Sequence, residues 1–165
     1  MFIFLGLRGV GGFGFGGFFS LGLGSSTGFL FGGDGGDFLN GGADKDILHG
    51  SAGADQLTGG TGADTFFYSD RSDSGTSLDA DKITDFLQGV DKIDVGLIDA
   101  NQLVTGNQAF TFIGQNNFTD EGQVRFFSTN AGTRIEFNTI NNSGSEFDIL
   151  LENTFVQHAA SDFVL

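Results

Sequence analysis

Residues 32–67 read GGDGGDFLN, GGADKDILH, GSAGADQLT and GGTGADTFF when divided every nine positions. An aspartate stands sixth in each unit (Asp37, Asp46, Asp55, Asp64), and an apolar side chain stands eighth (Leu39, Leu48, Leu57, Phe66). A bias toward Gly and Asp would not hold that phase, so the sequence specifies a physical repeat of nine residues. Glycines at positions one, two and four permit a tight turn with positive φ and a close approach of backbone to a ligand. Two units deviate: Asp44 replaces Gly at position four of the second, and Ser51 replaces Gly at position two of the third. Both are expected to weaken their turns.

Six residues of turn followed by three of strand make half of a flattened coil. Two units then close one coil, with a strand on each side and the eighth-position side chains inside. Coils stack with a step of eighteen residues, so Asp37 should face Asp55, and Asp46 should face Asp64. A further step lands on Asp73, expected to face Asp55 from the other side. Carboxylates stacked in this way repel one another, and a hard cation between them reverses the sign of that interaction. Ca²⁺ accepts six to eight oxygens from carboxylates and main-chain carbonyls in a tolerant geometry, whereas Mg²⁺ demands a small octahedron and keeps its waters. Ca²⁺ is therefore the expected cofactor. The residues expected to hold it are Asp37, Asp46, Asp55, Asp64 and Asp73, with Gly32, Asp34, Gly41, Ala43, Gly50, Ala52, Gly53, Gly59, Gly60 and Gly62 in the turns.

The rest of the composition agrees with a folded, cation-seeking chain. The 165 residues carry a formal charge of −14, which excludes a phosphate backbone as partner because nucleic acid needs a basic face. Without cysteine there is neither a disulfide framework nor a thiolate metal site. Residues 1–31 hold one charge, Arg8, among Gly, Phe and Leu. They lack the layout of a signal peptide, and their glycines are too frequent for a spanning helix, so stable membrane insertion is not expected. In the register of the array, LGSSTGFLF (residues 23–31) is one more unit, with Gly28 in the aspartate position and Leu30 in the apolar one. Residues 1–31 read as degenerate coils, or as foreign sequence on a truncated module, with no metal site of their own. The GxGxxG match beginning at Gly12 lacks the preceding strand and following helix of a dinucleotide site.

Beyond the array, short apolar runs predict strands at Lys82–Phe86, Lys92–Val95, Ala109–Ile113, Gln123–Phe127, Arg134–Phe137 and Phe147–Leu151. Val124 with Phe126, Ile135 with Phe137, and Ile149 with Leu151 alternate at period two, which puts each pair on one strand face. The class is all-β.

The nonapeptide GGxGxDxUx is similar to the β-helix repeat of RTX proteins, which binds Ca²⁺. From residue 32 to the end the chain resembles the C-terminal region of serralysin-type metalloproteases. The resemblance is carried by Gly59–Tyr68, the Ser72-Asp73-Ser74 step, DKITDF (81–86), DKID (91–94), GNQAFTFIG (106–114), GQVR (122–125) and the ending DFVL (162–165). It implies a right-handed parallel β-roll over residues 32–76, capped by a β-sandwich-like region over 77–165. It also implies several Ca²⁺ ions, with Asp81 adding a ligand at the last turn, and an uncleaved C-terminal signal read by a type I (ABC-transporter) secretion system. On that resemblance the protein is secreted, extracellular and monomeric, and folds on Ca²⁺ outside the cell. Asn138, Asn141 and Asn142 stand where relatives carry acids, so no ion is expected there.

The zinc motif HExxHxxGxxH of those proteases is missing from this chain, and His49 and His158 read as ordinary residues rather than ligands. The expectation is a non-enzymatic module. Two alternatives stay open: a non-catalytic fragment of a secreted zinc metalloprotease, and a carbohydrate-binding RTX module of a polysaccharide-modifying enzyme. The second needs a row of basic and aromatic side chains, for which Arg125 and Arg134 are few.

Overall fold

The computed structural model describes residues 27–140, 144–155 and 159–165. The reading of residues 1–26, and those of Asn141, Asn142 and His158, lie outside the described residues.

The eighteen-residue step appears directly as strand register. Five strands form one sheet in the order β1 (Phe29–Phe31), β3 (Ile47–His49), β5 (Thr65–Phe67), β7 (Lys92–Asp94) and β12 (Phe163–Val164), each pair parallel. The second sheet begins with β2 (Phe38–Ala43), β4 (Gln56–Thr61) and β6 (Asp81–Ile83), also parallel. It continues through β11 (Phe147–Glu152), β10 (Gly132–Asn138), β9 (Gln123–Thr129) and the two-residue β8 (Thr111–Phe112). β11 joins β6 in parallel, β10 runs antiparallel to both β11 and β9, and β8 joins β9 in parallel, so the roll passes into its cap without a break in the sheet. The protein is an all-β parallel roll closed by antiparallel strands.

Register explains the apolar eighth position. Leu30 lies beside Leu48, Leu48 beside Phe66, Phe66 beside Ile93, and Ile93 beside Phe163. On the other sheet Leu39, Leu57, Ile83 and Leu151 form the matching column. All are buried and belong to one core. Gly28, Leu30 and their strand thus occupy the register that the sequence assigns to them. A fully buried side chain of this size contributes about 2 kcal/mol, so each coil adds a comparable increment. In the cap, Phe137 stacks on Phe147 with centroids 4.2 Å apart, and Phe110 meets Phe137 edge-on at 5.3 Å. Phe163 brings the last strand against this cluster, 6.5 Å from Phe137.

Glycine is needed where coil meets coil. A Cβ on Gly62 would come within 1.8 Å of the Asp44 carbonyl oxygen, and one on Gly60 within 2.0 Å of that of Gly42. The two deviant residues keep the backbone of the glycines they replace, Asp44 with φ 72° and Ser51 with φ 71°. The left-handed region disfavours side chains by about 1 kcal/mol, and the Ser51 hydroxyl is buried without a partner. Ser51→Gly should therefore raise stability by about 1 kcal/mol, and Gly62→Ala should lower it. Thermal unfolding of the two variants beside the parent protein checks both directions.

Candidate metal ladder

Each aspartate of the array binds its neighbouring coil through the main chain. The Asp37 N–H donates to Asp55 Oδ1 at 2.7 Å, and the Asp46 N–H donates to Asp64 Oδ1 at 2.9 Å. The Gly28 N–H donates to Asp46 Oδ1 at 2.6 Å, which places the degenerate unit in the same ladder as a donor only. The columns continue past the array: the Asp55 N–H reaches Asp81 Oδ1 at 2.8 Å, and the Asp64 N–H reaches Asp91 Oδ1 at 3.0 Å. All these carboxylates are buried.

Asp81, not Asp73, is the next rung after Asp55. The expected step fails because a loop of two short 3-10 turns, Arg71–Asp73 and Ser77–Asp79, is inserted into this coil. Gln56 consequently pairs with Lys82 rather than with a residue eighteen positions on. Asp73 is used elsewhere. Its Oδ2 accepts from the Ser69 and Asp70 N–H groups at 2.7 and 3.0 Å and lies 3.0 Å from His49 Nε2. Burial pushes the Asp73 carboxyl up, but His49 and the donors of Asp70 and Ser69 more than offset it, bringing it down to about 2. His49 is a strand residue, as expected; its ring sits edge-on to Phe31 and Phe67 at 5.0 and 5.1 Å. The pair fastens the inserted loop to the roll. Nine-residue counting cannot find it, because it depends on where that insertion folds.

The second oxygen of each rung is the unusual one. Oδ2 of Asp37, Asp46, Asp55, Asp64 and Asp81 is buried and has no hydrogen-bond partner. In the four array units it points back into its own turn. A Cβ added to Gly32, Gly41, Gly50 or Gly59 would lie 2.7, 2.6, 2.1 or 2.6 Å from it. Position one must be glycine to leave room at that oxygen. The turn carbonyls of Gly50 and Ala52 accept from the Gly33 and Gly35 N–H groups of the neighbouring coil, which ties each turn to the next. Asp34 is exposed at its turn.

These features suit Ca²⁺: the donors are hard oxygens, one buried carboxylate oxygen per turn lacks a donor, and the adjoining backbone carries no side chain. Among the described residues no group of three or more His, Cys, Asp or Glu side chains gathers at one point. A cation here would draw most of its ligands from main-chain carbonyls, which Ca²⁺ accepts. Burial is the largest cause of the raised pKa at every open rung; like charge on neighbouring rungs adds to it at Asp55, Asp64 and Asp81, and the charge of Asp44 in the same turn adds to it at Asp46. Asp55 rises to about 7 and Asp81 to about 8.

A nonapeptide roll with an aspartate in every turn defines the class of RTX β-roll modules. Within it, the chain belongs to the family described as Peptidase M10 serralysin C terminal, whose profile matches residues 8–165. Similar solved structures are solution structures of two subunits of the Azotobacter vinelandii mannuronan C5-epimerase. AlgE6R3 is 30% identical with a TM-score of 0.63, over 88% of this chain and 76% of that one. AlgE6R2 is 29% identical with a TM-score of 0.54, over 84% and 80%. No curated protein matches the chain.

The raised carboxyls predict an inverted pH dependence without metal. A folded pKa above the unfolded value gives stability that is complete below the unfolded pKa and is lost as pH rises through the folded one. In chelator, stability should therefore fall as pH rises from the ordinary carboxyl value of 3.8 through about 7 and about 8, where folded Asp55 and Asp81 lose their protons. Ca²⁺ binding near pH 7.5 should release protons. Calorimetric titration in buffers of different ionisation enthalpy measures that release; a buffer-independent heat would contradict it.

Proposed function

We propose that the protein is a calcium-dependent folding and secretion module rather than a catalyst. The observation that carries this reading is the set of five buried, unpartnered Oδ2 atoms on stacked rungs, in a chain with a formal charge of −14. Asp37, Asp46, Asp55, Asp64 and Asp81 supply the carboxylates. The carbonyls of Gly32, Asp34, Gly41, Ala43, Gly50, Ala52, Gly53, Gly59, Gly60 and Gly62 are the main-chain donors. Asp73, saturated by His49 and its own loop, is left out. Bound Ca²⁺ supplies positive charge between carboxylates that otherwise repel. The protein's own part is to pin Oδ1 of Asp46, Asp55, Asp64 and Asp81, to aim Oδ2 of the four array aspartates into their turns, and to keep the carboxylates buried.

In a cytosol poor in Ca²⁺ the rungs oppose closure, and the chain stays open for export through a type I transporter. Outside, millimolar Ca²⁺ matches extracellular modules with affinities of roughly 10⁻⁴ to 10⁻³ M, and binding becomes folding free energy. The ladder fills residues 32–76 and runs on to Asp81 at the start of the cap, which spans residues 77–165 and carries the terminal Asp162, Phe163, Val164 and Leu165 as the transporter's signal. Support for early recognition of that signal comes from its place in the folded chain. Phe163 is buried, and β12 pairs with β7, itself part of the roll. A transporter would have to read the signal before the roll closes. The protein then acts as a secreted monomer.

A carbohydrate-binding role, suggested by the epimerase likeness, finds little support in the two arginines. Arg125 pairs with Glu136 at 2.7 Å beside the rings of Phe118 and Phe127, and Arg134 pairs with Asp148 at 2.9 Å. Both are committed within the cap.

Asp55→Ala removes the acceptor of the Asp37 N–H and a rung lying between two others, so it should shift the calcium midpoint for folding upward more than any other single array variant. A near-normal calcium response would count against the ladder. Deleting residues 162–165 should trap the protein in cells that carry a type I exporter; undiminished export would remove the signal from the account.

A further inference from the structure

The two columns of rungs end differently. Asp91 holds the ladder position: it is buried, and its Oδ1 accepts the Asp64 N–H at 3.0 Å, as each earlier rung does for its predecessor. Its other oxygen departs from the pattern. Oδ2 accepts the Leu87 N–H at 2.8 Å, whereas the same atom of Asp46 and Asp64 in this column has no partner. The turn has been rebuilt to allow it. Five residues before Asp46 and Asp64 stand Gly41 and Gly59, whose missing Cβ leaves room at Oδ2. Five residues before Asp91 stands Phe86, buried in the core 6.1 Å from the ring of Phe66. The chain then closes on itself, the Val90 and Asp91 N–H groups both donating to the Leu87 carbonyl at 3.1 and 2.9 Å.

The side of the preceding turn that faces Asp91 is closed as well. Gly59 and Gly60 donate their N–H groups to Asp85 Oδ1 and Oδ2 at 2.9 and 2.8 Å, so a carboxylate lies across the turn edge where another Gly-rich turn would continue the stack. Lys92 follows Asp91, and its amine is held by the Ser161 carbonyl.

We propose that Asp91 is a closed rung, a ladder aspartate whose second oxygen is satisfied by protein, so that the cation stack of this column stops at the turn of Asp64. The other column stays open to its last rung, Asp81, whose Oδ2 accepts no N–H; the buried Tyr68 hydroxyl lies near its carboxyl. This proposal rests on the calcium reading above. It turns the family pattern into a count: a ladder-register aspartate takes a cation only when Oδ2 finds no N–H in its own turn.

Equilibrium dialysis with Ca²⁺ compares the folded parent with Asp64→Asn and Asp91→Asn. Asp64→Asn should bind at least one ion fewer. Asp91→Asn should bind the parent's number while losing thermal stability, because the Leu87 N–H then lacks its acceptor. Loss of an ion from Asp91→Asn equal to that from Asp64→Asn overturns the closed rung. Anomalous diffraction from parent crystals grown with Tb³⁺ gives a second measurement that needs no variant to fold. Peaks should lie beside the Asp46 and Asp64 carboxylates, with none at Asp91; a peak within about 2.6 Å of Asp91 Oδ2 also overturns the proposal. A parent that binds no ion at all would instead refute the calcium reading on which it rests.

Discussion

The structure depends on a hydrogen bond repeated from coil to coil: the N–H of one aspartate donates to Oδ1 of the aspartate in the next coil. It runs from Gly28 to Asp46, Asp64 and Asp91 in one column, and from Asp37 to Asp55 and Asp81 in the other. Each bond satisfies a buried main-chain donor that would cost about 1–3 kcal/mol if left unmade. It also fixes the carboxylate so that the remaining oxygen must point into a turn. Coil stacking, the need for glycine at position one and the unfavourable burial of Oδ2 all follow from that single constraint.

The constraint conflicts with itself in the absence of a cation. Folding brings the carboxylates out of water and beside one another, and both effects favour the neutral acid, most strongly at Asp55 and Asp81. Two outcomes relieve the conflict: protons hold the ladder neutral, or a divalent ion occupies the space that position-one glycines keep clear. On the proposed reading, calcium at neutral pH makes the second replace the first. At Asp91 the fold supplies the second oxygen with an N–H of its own, that of Leu87.

Much of this was legible in the sequence because the nine-residue phase carries both the core and the ladder. Leu39, Leu48, Leu57 and Phe66 fixed which side faces inward, and even Leu30 and Gly28 could be placed by counting. Six predicted strands beyond the array correspond to β6 through β11, with ends displaced by up to three residues. Counting failed where the chain leaves the period. The loop between Phe67 and Asp81 moves the next rung from Asp73 to Asp81 and frees Asp73 to grip His49. Nothing in a spacing rule distinguishes Asp91 from Asp64, since the difference lies in a turn that offers Oδ2 a donor. The one available hint was Phe86, an aromatic where the array has glycine.

Far-UV circular dichroism of the purified chain, titrated with Ca²⁺ and separately with Mg²⁺ from a chelated start, tests the central claim most directly. The account predicts a cooperative gain of β signal with Ca²⁺ and little with Mg²⁺ at neutral pH. A chain that shows its full β signal in chelator at that pH, unchanged by either ion, would contradict it.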